Sequence, residues 1–200
     1  MKKNKLVYMT KISVLAVISA LLMLLEFPLP FAPAFYELDL SEIAVLIAGF
    51  ALGPLAGVLT ELIKILLNLI MNGTITAFVG ELSNFLIGVS FVLPASLIYK
   101  HNKSLKGAII GMAVGTLSLG VIGAILNYFV LVPAYSKFLV SMDAIIEMGN
   151  KVNPSIDGLW TLILFATLPF NLLKGVICSI VTALIYKRVS PILHKDFGKK

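Results

Sequence analysis

Charged side chains are scarce in this chain. They make up 13% of its 200 residues, whereas 59% are hydrophobic, and the mean hydropathy is +1.01. An ordinary soluble domain carries about 25% charged and about 45–50% apolar residues. Because no soluble packing hides so much apolar surface, the sequence predicts an all-α membrane protein. We expect one transmembrane domain over residues 1–200.

Cysteine and the common catalytic signatures are also nearly absent. The single Cys178 lies in an apolar run, which excludes disulfides within the chain. The sequence has no GxxxxGK[ST] phosphate loop, no HExxH, no GxSxG and no cluster of Cys and His. We therefore expect a protein that is not an enzyme, has no metal and no resident cofactor, and does not hydrolyse ATP through such a loop.

Long apolar runs are what the sequence does contain. A membrane-spanning helix needs roughly 20 mainly apolar residues. Six spans are predicted, at about 12–26, 41–52, 54–71, 78–99, 107–132 and 158–187. The second is short, and it meets the third at Gly53-Pro54, which is typical of a tight turn. No small-residue cleavage site follows the first apolar run, so we expect a retained helix rather than a signal peptide.

The basic residues indicate the orientation. Short cytoplasmic loops carry an excess of Lys and Arg. With six spans, both termini share a side with the loop around residue 103, and the opposite side has only Lys137 and Lys151. The basic residues on the first side are Lys2, Lys3, Lys5, Lys11, Lys100, Lys103, Lys106, Lys187, Arg188, Lys195, Lys199 and Lys200. We predict cytoplasmic termini, a net charge of +6 that reflects topology and contact with membrane lipid, and no nucleic-acid partner.

The orientation places the stretch LEFPLPFAPAFYELDLSEI, residues 25–43, on the outer side. It holds three prolines, four aromatic residues and four acids. That composition is too rich in proline for a helix and too apolar for an ordinary solvated loop. The connection 133–157 lies on the same side, and its segment 136–149 has apolar residues at helical spacing. We expect a short helix there, either lying on the lipid surface or covering a ligand.

Polar residues inside the predicted spans are candidates for function, since ionisable groups in a bilayer are costly. Glu61 and Lys64 share a helix face with Asn68 and Asn72, and an internal ion pair is as good an explanation as a site. A second stripe in the fourth span is near the outer end. It consists of Glu81, Asn84 and Gly88.

The last span carries the most informative stripe. Asn171 and Lys174 lie on it, between Thr167 and Cys178, and Pro169 should kink the helix because it cannot donate to the carbonyl of residue 165. Lys174 has no partner on its own helix, so it either pairs with an acid elsewhere or donates to a polar ligand. A ligand site between helices needs mostly apolar walls and a few convergent polar groups.

Four stretches resemble a known family. FPLPFAPAFYELDLSEI, FALGPLAGVLTELIK, ILNYFVLVPAY and PFNLLKG are similar to the substrate-binding S components of energy-coupling factor (ECF) vitamin transporters, and most of all to the riboflavin-specific ones. The AxxxA step formed by Ala16 and Ala20 in the first span adds to the likeness. The resemblance implies six transmembrane helices and an outer pocket under a lid loop between helices 1 and 2. It also implies that a T component and two cytoplasmic ATPases complete the transporter.

The resemblance also implies roles for single residues. It assigns Asn127, Asn171 and Lys174 to riboflavin binding, and Ala16 and Ala20 to contact with the T component. The expected lid and remaining substrate-binding residues are Phe35, Tyr36, Leu38, Asp39 and Asn84. Three other readings stay open: an S component for another vitamin or for flavin nucleotides, an intramembrane enzyme using Glu61, Glu81 and Lys174, and a scaffold subunit.

Overall fold

The fold of this chain is almost entirely helical. The structure is a computed structural model, and it describes residues 2–74 and 76–194. Lys195, Lys199 and Lys200, which contribute to the predicted orientation, lie outside these residues. The elements are α1 (Lys2–Met23), β1 (Phe27–Pro28), β2 (Glu37–Leu38), α2 (Glu42–Leu52), α3 (Pro54–Asn72), α4 (Val79–His101), α5 (Leu105–Leu126), a π-helical segment (Asn127–Leu131), α6 (Val132–Phe138), α7 (Met142–Val152), α8 (Leu159–Leu162), a second π-helical segment (Ile163–Thr167) and α9 (Leu168–His194).

Five helical stretches in the described part of the chain are long and apolar enough to cross a membrane. They are Lys5–Met23, Pro54–Asn72, Val79–His101, Leu105–Phe138 and Leu159–Val189. Five of the six predicted spans therefore correspond to such helices. The predicted second span is also helical, but α2 has only 11 residues. At about 1.5 Å per residue it is far shorter than a hydrocarbon core of roughly 30 Å.

Helix α2 lies in the middle of the molecule. Its sequence, EIAVLIAGFAL, is apolar on every face, and all of its residues from Glu42 to Phe50 are buried. A helix that is hydrophobic all round belongs in a core. The α2–α3 connection is the tight turn predicted at Gly53-Pro54. Gly53 has φ 104°, where a side chain is disfavoured, and Pro54 occupies the first turn of α3.

Two π-helical segments interrupt the long outer helices, and each is followed by a proline. Residues 127–131 precede Pro133, and residues 163–167 precede Pro169. A proline removes one backbone donor and displaces the carbonyl four residues earlier, so the helix widens locally. The sequence predicts a kink near Pro169, and the structure has a π-helical turn directly before that residue. The equivalent feature before Pro133 was not predicted.

The segment between α1 and α2 folds back on the bundle. Strands β1 and β2 pair antiparallel, with Phe27 opposite Leu38. Leu38 and Ala32 are buried against Phe170 of α9 in a small apolar cluster. This segment, residues 24–41, is called the α1–α2 loop below. Its three prolines and its strand pairing hold it in a fixed path across the start of α9.

The connection after α6 contains the expected short helix, but with different bounds. Segment 136–149 was predicted to be one helix, whereas α6 ends at Phe138 and α7 spans Met142–Val152. Ser141 explains the new start, because its side chain accepts a hydrogen bond from the amide of Ala144 and caps α7.

Candidate functional site

The candidate site lies where the α1–α2 loop meets the end of α5 and the start of α9. Asn127 opens the first π-helical segment and Asn171 follows the second, and both are buried, at 5% exposure. The Asn127 Nδ2 donates to the Gly123 carbonyl at 2.8 Å, and the Asn171 Nδ2 donates to the Thr167 carbonyl at 3.0 Å. Each amide is thus oriented by the backbone four residues earlier. π-Helical turns occur frequently at functional sites.

Tyr36 connects the loop to both π-helical segments. Its hydroxyl donates to Asn127 Oδ1 at 3.2 Å and lies 2.6 Å from Thr167 Oγ1. Its ring stacks on Phe170, with centroids 5.2 Å apart and an interplanar angle of 24°. Burial raises the pKa of Tyr36, so the phenol stays protonated and keeps its donor. A flat aromatic ring is therefore accommodated between these helices, with polar partners at its edge.

Phe35 and Leu38, the other apolar residues assigned to the lid, differ in exposure. Phe35 is 40% exposed, and its ring lies 4.6 Å from that of Tyr36 between centroids. Leu38 is 3% exposed and packs in the cluster that contains Phe170. Leu38 therefore anchors the loop in this structure, whereas Phe35 is available at its surface.

Lys174 has its partner in the loop. Its Nζ lies 2.6 Å from Oδ2 of Asp39, and both side chains are largely buried. Asp39 Oδ1 accepts hydrogen bonds from the amide and the hydroxyl of Ser41. Burial alone would raise the pKa of Asp39, but the charges of Lys174 and Lys64, with these hydrogen bonds, lower it to about 2. The sequence left open whether Lys174 pairs with an acid or serves a ligand. The structure shows the pair.

A second group of buried charged side chains adjoins the Lys174–Asp39 pair. Lys64 of α3 is 2.8 Å from Glu42 Oε1 and 2.7 Å from Glu61 Oε2. The Glu61–Lys64 ion pair, one of the two explanations that the sequence left open, is present, and Glu42 was missed as its third member. Lys64 also donates to the hydroxyl of Ser41 at 3.2 Å, which joins this group to Asp39. The sequence feature that could have pointed to Ser41 and Glu42 is their position where α2 begins, since polar side chains at a helix end can be reached by a neighbouring helix.

The three residues of the predicted stripe on α4 have different surroundings in the structure. Gly88 is buried, and a side chain added at that position would collide with the Glu61 carboxylate. Glu81 accepts a hydrogen bond from Thr76 at 2.8 Å. Asn84 is exposed, and the hydrogen bonds that join the described residues of the site do not include it. Among the expected substrate-binding residues, it stands apart from the group that the fold brings together.

An apolar cavity of about 230 Å³ adjoins the first π-helical segment. It lies between α4 and the α5 end, and its walls include Leu82, Leu86, Leu126 and Leu131. Leu126 directly precedes Asn127 in the chain, but neither Asn127 nor any other polar residue described above for the site lines the cavity. The cavity is therefore kept apart from the candidate site.

Ala16 and Ala20, assigned to contact with a T component, are buried within this chain at 0% and 1% exposure. They lie on the face of α1 that also carries Ser19, whose hydroxyl donates to the Ser41 carbonyl at 2.8 Å. The neighbouring side chains of Val17 and Ile18 are 48% and 43% exposed.

Comparison with known proteins decides the family. The family model described as "ECF transporter, substrate-specific component" matches residues 7–186. The chain is a member of this ECF S-component family. It is 36% identical to the riboflavin transporter RibU of Staphylococcus aureus over 98% of this chain and 95% of that one. It is 35% identical to the riboflavin transporter FmnP of Bacillus subtilis over 98% and 97% of the two chains.

A solved structure supports the same assignment. It is described as "Structure and mechanism of the S component of a bacterial ECF transporter", and it matches with a TM-score of 0.72 and 35% identity over 96% of this chain and 99% of that one. S components are transport subunits and not enzymes, so the intramembrane-enzyme alternative is set aside. With five membrane-capable helices among its described residues, this S component is a multi-pass membrane protein.

Proposed function

We propose that this S component is the high-affinity riboflavin-binding subunit of an ECF-type ABC transporter. It captures riboflavin outside the cell and delivers it inward together with a T component and two ATPases. The observation that carries the proposal is similarity over almost the whole chain to proteins named riboflavin transporters, at 36% and 35% identity. The arrangement of the polar side chains supports it.

Riboflavin is a neutral molecule with a flat aromatic ring system, imide and carbonyl edges and a polyhydroxyl chain. Asn127 and Asn171 offer both donors and acceptors, and Lys174 offers donors only. Phe170 already stacks on one flat ring, that of Tyr36. We propose that the flavin ring lies in this region, beneath the α1–α2 loop acting as a lid, with Phe35, Tyr36, Leu38 and Asp39 at the lid and Asn84 near the opening.

The proposed topology has six crossings, cytoplasmic termini and an external lid. Helix α2 makes the second crossing in this proposal, although its 11 residues do not match the bilayer. Irregular or short backbone is tolerated at membrane depth where protein surrounds it, and α2 is buried along most of its length. Labelling of single cysteines introduced in the α1–α2 loop and in the loop at residue 103 tests the sidedness. Labelling of both from the same side contradicts it.

Transport requires an external source of energy, because the chain carries no GxxxxGK[ST] phosphate loop. We propose that the two ATPases supply it through the T component. Docking is assigned to α1 near Ala16 and Ala20. Since both alanines are buried in this chain, the exposed side chains beside them, Val17 and Ile18, provide surface on α1 that a partner helix can reach.

The visible absorption of the purified protein tests the ligand. A flavin spectrum in the purified protein, followed by titration of stripped protein with riboflavin, supports the proposal. Parallel titrations with flavin mononucleotide and with an unrelated vitamin separate it from the two alternative ligands. A colourless protein that binds no added flavin overturns it.

A further inference from the structure

Ser41 uses all of its polar groups at the point where the loop enters α2. It is fully buried, at 0% exposure. Its amide and its hydroxyl both donate to Asp39 Oδ1, its hydroxyl accepts from Lys64 at 3.2 Å, and its carbonyl accepts from Ser19 of α1 at 2.8 Å. A hydroxyl has one donor and two acceptor sites, so this one links a cation to a carboxylate.

The link continues to the candidate site. The second oxygen of Asp39 accepts from Lys174 at 2.6 Å. A neutral hydroxyl thus lies between the Lys64 cation and the Asp39 carboxylate, which in turn pairs with the Lys174 cation. Lys64 belongs to α3, Ser41 and Asp39 to the α1–α2 loop, and Lys174 to α9. The first three are buried at 5% exposure or less, so water does not screen the contacts between them.

The far end of this chain of contacts is fixed. Lys64 is held from two sides by Glu42 and Glu61, at 2.8 Å and 2.7 Å. Gly88 of α4 packs against the Glu61 carboxylate, which a larger residue at this position would displace. The Lys64 ammonium is consequently fixed in position. Because it donates to the Ser41 hydroxyl, which in turn donates to Asp39, it also restricts the position of the Asp39 carboxylate.

We infer that Ser41 is a positioning residue for ligand capture, acting through Asp39 on Lys174 without contacting the ligand. The inference rests on the proposed function. Without the hydroxyl, Asp39 Oδ1 keeps only the Ser41 amide as a donor and Lys64 loses one acceptor, so the carboxylate is held less firmly. Lys174 has a long flexible side chain, so its ammonium becomes mobile when the Asp39 carboxylate does. Ligand binding must then order the ammonium, and the entropic cost of that ordering weakens affinity.

The variant Ser41→Ala tests the inference, with Ser96→Ala as the matched control. Ser96 is equally buried, at 0% exposure, and its hydroxyl has no hydrogen-bond partner among the described residues. Titration with riboflavin should give a Kd raised roughly fivefold to twentyfold for Ser41→Ala and less than about twofold for Ser96→Ala. Ser41→Thr keeps the hydroxyl and should recover most of the affinity.

A double variant distinguishes positioning from a merely structural role. If Ser41 acts through Lys174, then Ser41→Ala should cause little further loss in a Lys174→Ala background. Losses that multiply, or a Ser41→Ala protein that binds like the wild type, overturn the inference while leaving the proposed function intact. Wild-type protein that binds no riboflavin overturns both. Should Ser41→Ala not fold, Ser41→Cys is compared with Ser96→Cys in the same titration, since a thiol is only a weak donor.

Discussion

Removing the ammonium of Lys174 is the most informative change at the candidate site. The variant Lys174→Met keeps an unbranched apolar stem and deletes the charge. The change has two expected effects, because Lys174 is a proposed donor to the ligand and also lies 2.6 Å from Asp39, whose side chain is only 6% exposed. The ligand loses a donor in a desolvated site, and a buried carboxylate loses its partner.

The two effects differ in size and in the property that they change. Loss of a ligand hydrogen bond costs roughly 1–3 kcal/mol, which raises the riboflavin Kd about 5-fold to 150-fold. Breaking a buried ion pair by removing one partner lowers stability by roughly 3–5 kcal/mol. Lys174→Met should therefore bind riboflavin more weakly and also melt at a lower temperature.

A second variant separates these effects. In Asp39→Asn combined with Lys174→Met, no buried charge is left unpaired, so thermal stability should return toward that of the wild type. Affinity should stay low, because the donor is still missing. Lys151→Ala is the control: it breaks an exposed pair with Glu147, whose side chain is 65% exposed, and should change neither property.

The assay is titration of flavin fluorescence on detergent-solubilised protein, with thermal melts of each variant without ligand. Recovery of wild-type affinity in the double variant would refute the reasoning, because it would show that Lys174 serves only to neutralise Asp39. An unchanged Kd in folded Lys174→Met would likewise remove the lysine from the site.

Three further predictions concern the same fold. Asn127→Ala and Asn171→Ala should each raise the riboflavin Kd roughly threefold to tenfold in the same titration, and unchanged values in both would exclude the asparagines from the site. Because its pKa is lowered from 3.8 to about 2, the stability of the wild type relative to Asp39→Asn should fall by about 2 kcal/mol as the pH drops from about 4 to about 2. Melting curves of both proteins across that range check this, and a constant difference would contradict it. Because Ala16 and Ala20 are buried at 0% and 1% exposure, Trp at either position should disturb packing and weaken riboflavin binding. Val17→Trp and Ile18→Trp change exposed side chains of α1, so both should bind riboflavin nearly normally yet fail in uptake with the partner subunits, and wild-type uptake should stop without the ATPases. Normal uptake by Val17→Trp and Ile18→Trp would exclude docking on this part of α1.

Contacts that are local in the chain could be predicted from the sequence. Glu61 and Lys64 are three residues apart on a helix, so their pairing follows from helical geometry alone. The Gly53-Pro54 turn follows from the backbone preferences of those two residues. The long apolar runs likewise fix five membrane-capable helices without knowledge of their packing.

Contacts between distant segments could not be predicted in this way. Lys174 and Asp39 are 135 residues apart, and Tyr36 and Thr167 are 131 apart. Helical periodicity shows which residues share a face, but not which helix that face meets. The stripe containing Asn84 illustrates the limit. Gly88 packs against Glu61, whereas Asn84, one turn away, is exposed.

The two π-helical segments could be predicted only in part. A proline at position 169 predicts an irregular helix, since its missing donor is a local fact. The same reasoning applies to Pro133, which also follows a π-helical segment. What the prolines do not reveal is that both irregular turns face the Tyr36 hydroxyl, through Asn127 and Thr167. That coincidence depends on how α5 and α9 pack, and it is what makes the two turns part of one site.

The charge of the site also bears on the ligand. An unpaired lysine would favour a phosphate or a carboxylate, because a buried cation needs a counter-charge. Lys174 already has one in Asp39, at 2.6 Å, and Lys64 has two, in Glu42 and Glu61. A second anion would have to displace a carboxylate that is fixed by Ser41 and buried at 5% exposure. A neutral ligand with carbonyl and hydroxyl acceptors can share the remaining donors of Lys174 without breaking the pair. The fixed pair is therefore compatible with the neutral ligand proposed above.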